Sequence, residues 1–224
     1  KILPLLQVGY RILETEGTRI SSYHSLYFDT KDFLFYHQHH NGKKNRNKVR
    51  FREYLDSGLC FLEVKNKTNK GKTIKKRMRV DKIQEKLSGK LQSFVDNIIG
   101  EGHQLFLSHQ NNFKRITLVH KKNKERLTID IGLRFKNNSA DGAIKDVVIA
   151  EVKQEKISRS SDFIQIIKNH GIRPFRISKY CMATSVLYTQ LKNNNFKPKF
   201  LHLKKLKNDL RINNADIGNR VFRN

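Results

Sequence analysis

The chain has 224 residues, with 46 Lys+Arg against 20 Asp+Glu and a net charge of +26. That length suits one large domain or two small ones, and that charge asks for an acidic partner: nucleic acid, an anionic membrane surface, nucleotide or polyphosphate. No run approaches the roughly 18 apolar residues that span a bilayer, no secretory leader is visible, and the absence of tryptophan with seven scattered tyrosines gives no RNA-recognition aromatic pair.

In chain order, residues 1–7 read as the end of a helix or a loop. Residues 8–15 and 23–29 have the aromatic and β-branched content of strands. A short helix is predicted over 31–37, with Asp29 or Thr30 as its cap. His37, His39 and His40 follow without matching Cys or acidic ligands, and neighbours such as His39 and His40 cannot face one site from a strand, so they do not read as a zinc site. Three strands come next, over 47–54, 60–67 and 73–80, and the tight turn at 69–71 makes the last two a hairpin. Leu87, Leu91, Phe94, Val95 and Ile98 recur at helical spacing and predict a helix within 81–100. A second hairpin is predicted from 113–121 and 125–135, followed by a polar loop over 137–142 and a strand over 144–153. Two helices, 162–170 and 178–191, complete the pattern, the second with Ser178 as N-cap. Residues 192–224 form a basic tail with one helix around 201–210. Cys60 and Cys181 lie far apart in apolar settings, without Cys-x-x-Cys spacing. They read as buried thiols of a reducing compartment.

Strand parity carries the functional signal. Successive side chains of a strand alternate between faces. Arg50 and Arg52 therefore oppose Val49 and Phe51; Glu63, Lys65 and Lys67 oppose Leu62 and Val64; Lys75, Arg77 and Arg79 oppose Ile74 and Met78. The pattern returns with Arg115 and Thr117, with Arg126, Thr128 and Asp130, and with Glu151 and Lys153. Six such strands could close into a barrel with a charged interior and an apolar outside covered by helices. For any single strand the alternative is an antiparallel sheet with one wet face. So much cation on one surface repels itself unless an anion sits there, and carboxylates placed among the cations favour a site. Glu151 suits a ligand for Mg²⁺ or Mn²⁺ bridging phosphate oxygens, the alternative being an ion pair with Lys153 or Arg126. Glu63 reads as an ion-pair partner orienting Arg50 or Arg52. Lys179, a cation in the first turn of a helix, runs against the helix dipole unless it reaches into an anion site. No phosphate-binding Gly-rich loop and no Ser-His-Asp or Cys-His order is present.

Residues 25–30 (Ser-Leu-Tyr-Phe-Asp-Thr), 48–54 (Lys-Val-Arg-Phe-Arg-Glu-Tyr), 61–67 (Phe-Leu-Glu-Val-Lys-Asn-Lys) and 72–77 (Lys-Thr-Ile-Lys-Lys-Arg) resemble the VTC domain. That is the polyphosphate polymerase domain of the vacuolar transporter chaperone family, within the triphosphate tunnel (CYTH-like) metalloenzymes. Residues 114–118, 126–130, 149–153 and 178–181 fit in the same order, so the resemblance runs from about Tyr10 to Tyr188. It implies an α+β fold: an antiparallel β-barrel tunnel with helices packed outside, spanning residues 1–191 and followed by the tail at 192–224. It also implies a charged strand of Glu-x-Lys type ahead of residue 1, forming one wall of the tunnel. By position, Arg50, Arg52, Lys65, Lys75, Arg77, Arg115, Arg126, Lys153 and Lys179 would bind phosphate, and Glu151 would hold the divalent metal, Mn²⁺ or Mg²⁺. Catalysis would fall on Arg50, Arg52, Lys65, Lys75, Arg115 and Lys179. The implied reaction is transfer of the γ-phosphate of ATP to a growing polyphosphate chain, in the cytoplasm or at the cytoplasmic face of a membrane. The partners are then ATP, triphosphate or polyphosphate rather than nucleic acid. The alternatives are an inorganic triphosphatase or nucleotide cyclase of the same tunnel type, and a non-enzymatic polyanion-binding module.

Overall fold

The computed structural model describes residues 2–145, 147–156, 158–212 and 221–222. Its strands form one antiparallel sheet. After a short helix α1 (Ile2–Leu6), the elements are β1 (Tyr10–Ile12), β2 (Ile20–Asp29), α2 (Leu34–His40), β3 (Arg46–Tyr54), β4 (Leu59–Lys67), β5 (Thr73–Val80) and α3 (Lys90–Ile99). Then come β6 (Phe106–His120), β7 (Glu125–Lys136), β8 (Asp141–Lys145), β9 (Ile149–Gln154), α4 (Asp162–Asn169), α5 (Lys179–Leu187), α6 (Lys197–Ile212) and β10 (Val221–Phe222). The spatial order runs β5-β4-β3-β2-β6-β7, with β1 also on β6, and with β8 and β9 sharing the far side of β7.

The sheet curls strongly without closing by hydrogen bonds: among the described residues, β5 pairs only with β4 and β9 only with β7. It wraps around α5 and its cap Ser178, which bond or pack against Lys48 of β3, Tyr23 and Tyr27 of β2, Phe113 and His109 of β6, and Asp130 and Leu133 of β7.

The convex face is the apolar one. Val49, Phe51, Leu62 and Val64 are completely buried against Leu91 and Val95 of α3. Leu118, Leu127 and Ile129 pack against Leu6 and Phe163, from α1 and α4. Alternation thus works as the sequence implies, with one correction made by backbone. Gly132 has φ +65, and the β6–β7 register slips between Asn112 and Lys114. The bulge inserts one residue in β7, so Leu133 and Phe135 join Asp130 on the concave face. There they meet Tyr23, Phe113, Met182 and Ala183. Helix α5 therefore lies inside the curl and plugs one end of it, rather than covering the outside as the helices were expected to do.

Several boundaries differ from the sequence reading. The helix expected within 81–100 begins at Lys90, because Gly89 at φ +52 precedes it; Ile83 and Leu87 pack on the core from irregular chain. The strand expected over 144–153 is two strands, β8 and β9. Helix α2 starts at Leu34 rather than 31, because Phe33 takes a left-handed conformation and the capping is done at a distance. The Asp29 carboxylate accepts from the N–H groups of Phe35 and Tyr36, and the Thr30 hydroxyl accepts from that of Leu34. After residue 191 the chain stays on the domain: Phe196 and Leu203 are buried, and Asn195 bonds His40.

Candidate phosphate-binding trough

The register lines up the charged residues across the concave face. One row is Lys48, Lys65 and Lys75; the next is Tyr27, Arg50, Glu63 and Arg77; a third is Asn111, Ser25, Arg52, Phe61 and Arg79. On the other wall Arg115 faces Asp130, Thr128 faces Glu151, and Arg126 faces Lys153. The nine strand residues among the ten expected to bind phosphate or metal therefore share one face, and Lys179 comes from helix α5.

Two buried carboxylates organise it. Glu63 receives Arg50 Nε and Nη2 on one oxygen at 2.8 and 2.6 Å, and its other oxygen lies 3.0 Å from Lys75 Nζ. Burial alone would raise its pKa, but Arg50, Arg52 and Lys75 outweigh that and hold it at about 2. The third corner of the Arg50 guanidinium reaches the Tyr27 hydroxyl at 2.9 Å. That phenol is pushed up by its own burial, yet Arg50 and Arg52 bring it down to about 8. On the opposite wall Asp130 takes Arg115 in a two-point contact of 2.5 and 2.8 Å, and also Lys179 Nζ. Its pKa is likewise lowered, because those cations outweigh burial. Such fork contacts fix guanidinium orientation, which single-point contacts do not.

Arg52 is different. It is 7% exposed, and its Nε has no hydrogen-bond partner among the described residues. The guanidinium lies 5.4 Å from the Tyr23 ring, which Arg115 also approaches at 5.1 Å. Burial and the like charges of Arg50 and Arg115 depress its pKa. Such a cation carries a desolvation cost that no ion pair among the described residues offsets.

Helix α5 closes the end of the trough and adds cations there. The Ser178 hydroxyl accepts from the Cys181 N–H at 3.3 Å and from Lys48 Nζ at 2.9 Å. The Tyr180 hydroxyl donates to Asp29, and its ring stacks with Tyr27 and His109. Asp29 thus ties α2 and α5 together through one buried carboxylate. The dipole mismatch of Lys179 is met by Asp130, so its ammonium is held at the trough floor beside the Phe113 ring, 4.8 Å away. Both cysteines are buried and unpaired with each other.

Sequence reasoning missed Lys48, although its parity with Arg50 and Arg52 marked it for the same face. It also missed Asp130 as the partner of Arg115, and Tyr27, whose contact with Arg50 follows only from the β2–β3 register. Lys75 and Arg77 sit on the exposed edge strand β5, with Arg77 over the Phe61 ring at 4.7 Å. Lys65 and Arg126 are exposed as well.

For the divalent ion, Glu151 is an exposed carboxylate of this face that no short ion pair consumes. Its side chain is 58% exposed and stands 3.6 Å from Lys153. Among the described residues there is no group of three His, Cys, Asp or Glu side chains able to cage a metal. A single carboxylate suits an ion such as Mg²⁺, which keeps several waters and takes other oxygens from substrate phosphates. The residues therefore fit a metal shared with the substrate and do not fit one held by protein alone.

The chain is an α+β domain built on a curled antiparallel sheet with a cationic concave floor. The chain belongs to the VTC domain family, whose pattern matches residues 5–188. Among solved structures it is similar to an adenylate cyclase candidate from Bacillus halodurans: 15% identity, TM-score 0.48, covering 75% of this chain and 91% of that one. It is also similar to an adenylyl cyclase candidate from Hippeastrum described as having a dominant triphosphatase activity, at 14% identity, TM-score 0.47, and 80% and 95% coverage. A conserved hypothetical protein from Pyrococcus furiosus matches at 12% identity and TM-score 0.42, over 81% and 91% of the two chains. No curated protein matches in sequence. No described helix is long and apolar enough to cross a membrane.

Proposed function

We propose that the trough binds the phosphates of ATP and transfers the γ-phosphoryl group to the end of a phosphate chain, as a polyphosphate polymerase does. The observation that carries this reading is Arg52, a buried cation without a carboxylate, set between two arginines already oriented by Glu63 and Asp130. Phosphoryl transfer requires positioning and charge stabilisation more than covalent chemistry. Arg50 and Arg115 supply pre-oriented donors on the two walls, Arg52 supplies the deep contact, and Lys179 follows from the plugging helix. Lys65, Lys75, Arg77, Arg126 and Lys153 are exposed or half-exposed cations along which an extended polyanion would lie. Glu151 would hold the divalent ion, Mn²⁺ or Mg²⁺, which draws charge from the transferring group when bound. The acceptor is a phosphate oxygen already ionised at neutral pH, so no strong base is required, and none is assigned.

The test is to incubate the full chain with ATP and Mn²⁺ and resolve the products on a polyphosphate gel. A ladder of growing chains is expected. Release of orthophosphate alone would make the domain a triphosphatase, and a cyclic nucleotide would make it a cyclase. Tight ATP binding without turnover would make it a polyanion-binding module.

A further inference from the structure

Residues 163–208 carry ten Lys or Arg and no Asp or Glu; all 20 carboxylate side chains of the chain lie outside that stretch. Part of it forms a face remote from the trough floor: the extended segment 171–176, exposed throughout, and the outer side of α6. We propose that this face docks the domain on the surface of an anionic phospholipid bilayer. The inference goes beyond the trough reading and does not depend on it.

The inner side of α6 is buried on its own domain. Phe200 and Leu203 pack against Met182, Ala183 and Leu187 of α5, and Phe196, just ahead of the helix, packs against Tyr180 and Cys181. A helix turns about 100° per residue, so Leu201, His202 and Lys205 point the other way, and all three are exposed. The Phe175 ring stacks on His202 at 4.5 Å, which fixes the extended segment alongside that outer side. Arg173 and Arg176 flank Phe175 on the segment. On the helix, Lys205 neighbours both Leu201 and His202, four and three residues before it. Cations and apolar groups therefore alternate over one continuous surface.

Cations alone would suit any polyanion. Here Leu201 is 59% exposed, Ile172 47% and Phe175 40%. A nucleic acid or a phosphate chain meets the cations through its phosphates and leaves such aliphatic side chains in water. A bilayer interface takes both kinds of group. Its anionic headgroups attract Lys and Arg, while apolar side chains beside them reach the boundary of the acyl chains. The trough offers no rival contact to a bilayer. Arg50, Arg52 and Arg115 lie on a concave floor with α5 inside the curl, and a flat surface cannot reach them.

Sedimentation of the full chain with phosphatidylcholine vesicles, with and without phosphatidylserine, tests the assignment. Binding should require phosphatidylserine. Arg176→Ala combined with Lys205→Ala should weaken it about twentyfold, since each cation near an anionic bilayer contributes roughly fivefold. Lys121→Ala combined with Lys122→Ala removes the same charge at the β6–β7 turn and should change it by less than about twofold. Leu201→Ser alters no charge and should still weaken binding several-fold. Because the chain contains no tryptophan, Phe175→Trp supplies a single reporter whose emission should shift to the blue on phosphatidylserine vesicles. Melting temperatures verify that each variant is folded. Equal losses from the two double variants would mean that overall charge alone holds the vesicle. Unchanged binding by Leu201→Ser with an unshifted Phe175→Trp emission would mean plain cationic attraction, as to a nucleic acid. No sedimentation with phosphatidylserine would mean that the face does not meet a bilayer. Each of these results overturns the proposal and leaves the trough reading to its own test.

Discussion

At Glu63 two cations, Arg50 and Lys75, meet one carboxylate that is 3% exposed, and the charge of Arg52 acts on it from further off. Its pKa falls from an ordinary 4.5 to about 2. A depressed carboxylate contributes stability that is fully present above the unfolded pKa and lost as pH falls through the folded one. The window is therefore about pH 4.5 down to 2, and the contribution is on the order of 3 kcal/mol. Glu63→Gln should be strongly destabilised at pH 7, because Arg50 loses its counter-charge while staying buried. The gap in urea midpoint between wild type and variant should shrink as pH drops from 5 to 2. A gap that stays constant over that range would mean the carboxylate's charge contributes nothing. The sequence did present Glu63 as an ion-pair residue, because it alternates with Lys65 and faces the arginines of the preceding strand. It could not present Tyr27 or Asp130 in their roles. Those contacts depend on which distant strands pair and in what register, and local alternation is silent on that.

Among the elements, α5 has the most to explain, since Lys179 in its first turn is the one cue in its own sequence that it belongs inside the curl. Its neighbours say so: the Gly132 bulge turns Leu133 and Phe135 inward to make an apolar seat at one end of an otherwise charged surface. The strands and hairpins were readable because alternation and turn residues are local. The early start expected for the helix before Gly100 failed because Gly89 breaks the chain there despite apolar spacing on both sides. Seating of α5 also depends on Asp29, buried beneath it and bonded to Tyr180. Tyr180→Phe removes one hydrogen bond to that carboxylate, so it should cost about 1–3 kcal/mol of stability and loosen the first turn that carries Ser178 and Lys179. Hydrogen exchange should report faster opening of the amides at 181–183, with those of β3 and β4 unchanged. Uniform acceleration across the sheet would instead mean that the bond serves the whole fold and does not specifically seat the helix.

Over the whole molecule the charge asymmetry resolves into a division of labour. The concave face gathers Arg50, Arg52, Lys65, Lys75, Arg77, Arg115, Arg126 and Lys153, and their self-repulsion is relieved in part by two buried carboxylates, Glu63 and Asp130, that fix arginines. Glu151 stands outside this scheme, exposed and only loosely paired with Lys153 at 3.6 Å. Removing it should therefore leave the electrostatic frame intact. If it holds a divalent ion against substrate phosphates, its loss is felt where charge develops in the transition state, far more than in ground-state binding. Glu151→Gln should keep the wild-type melting temperature and bind ATP at least as well in the absence of metal, since one negative charge has left a cationic surface. Mn²⁺-dependent turnover should fall by about two orders of magnitude or more, and wild-type protein stripped of metal by chelation should show the same loss. A variant that turns over normally would remove Glu151 from the metal site, and one that loses melting temperature and activity together would make it structural.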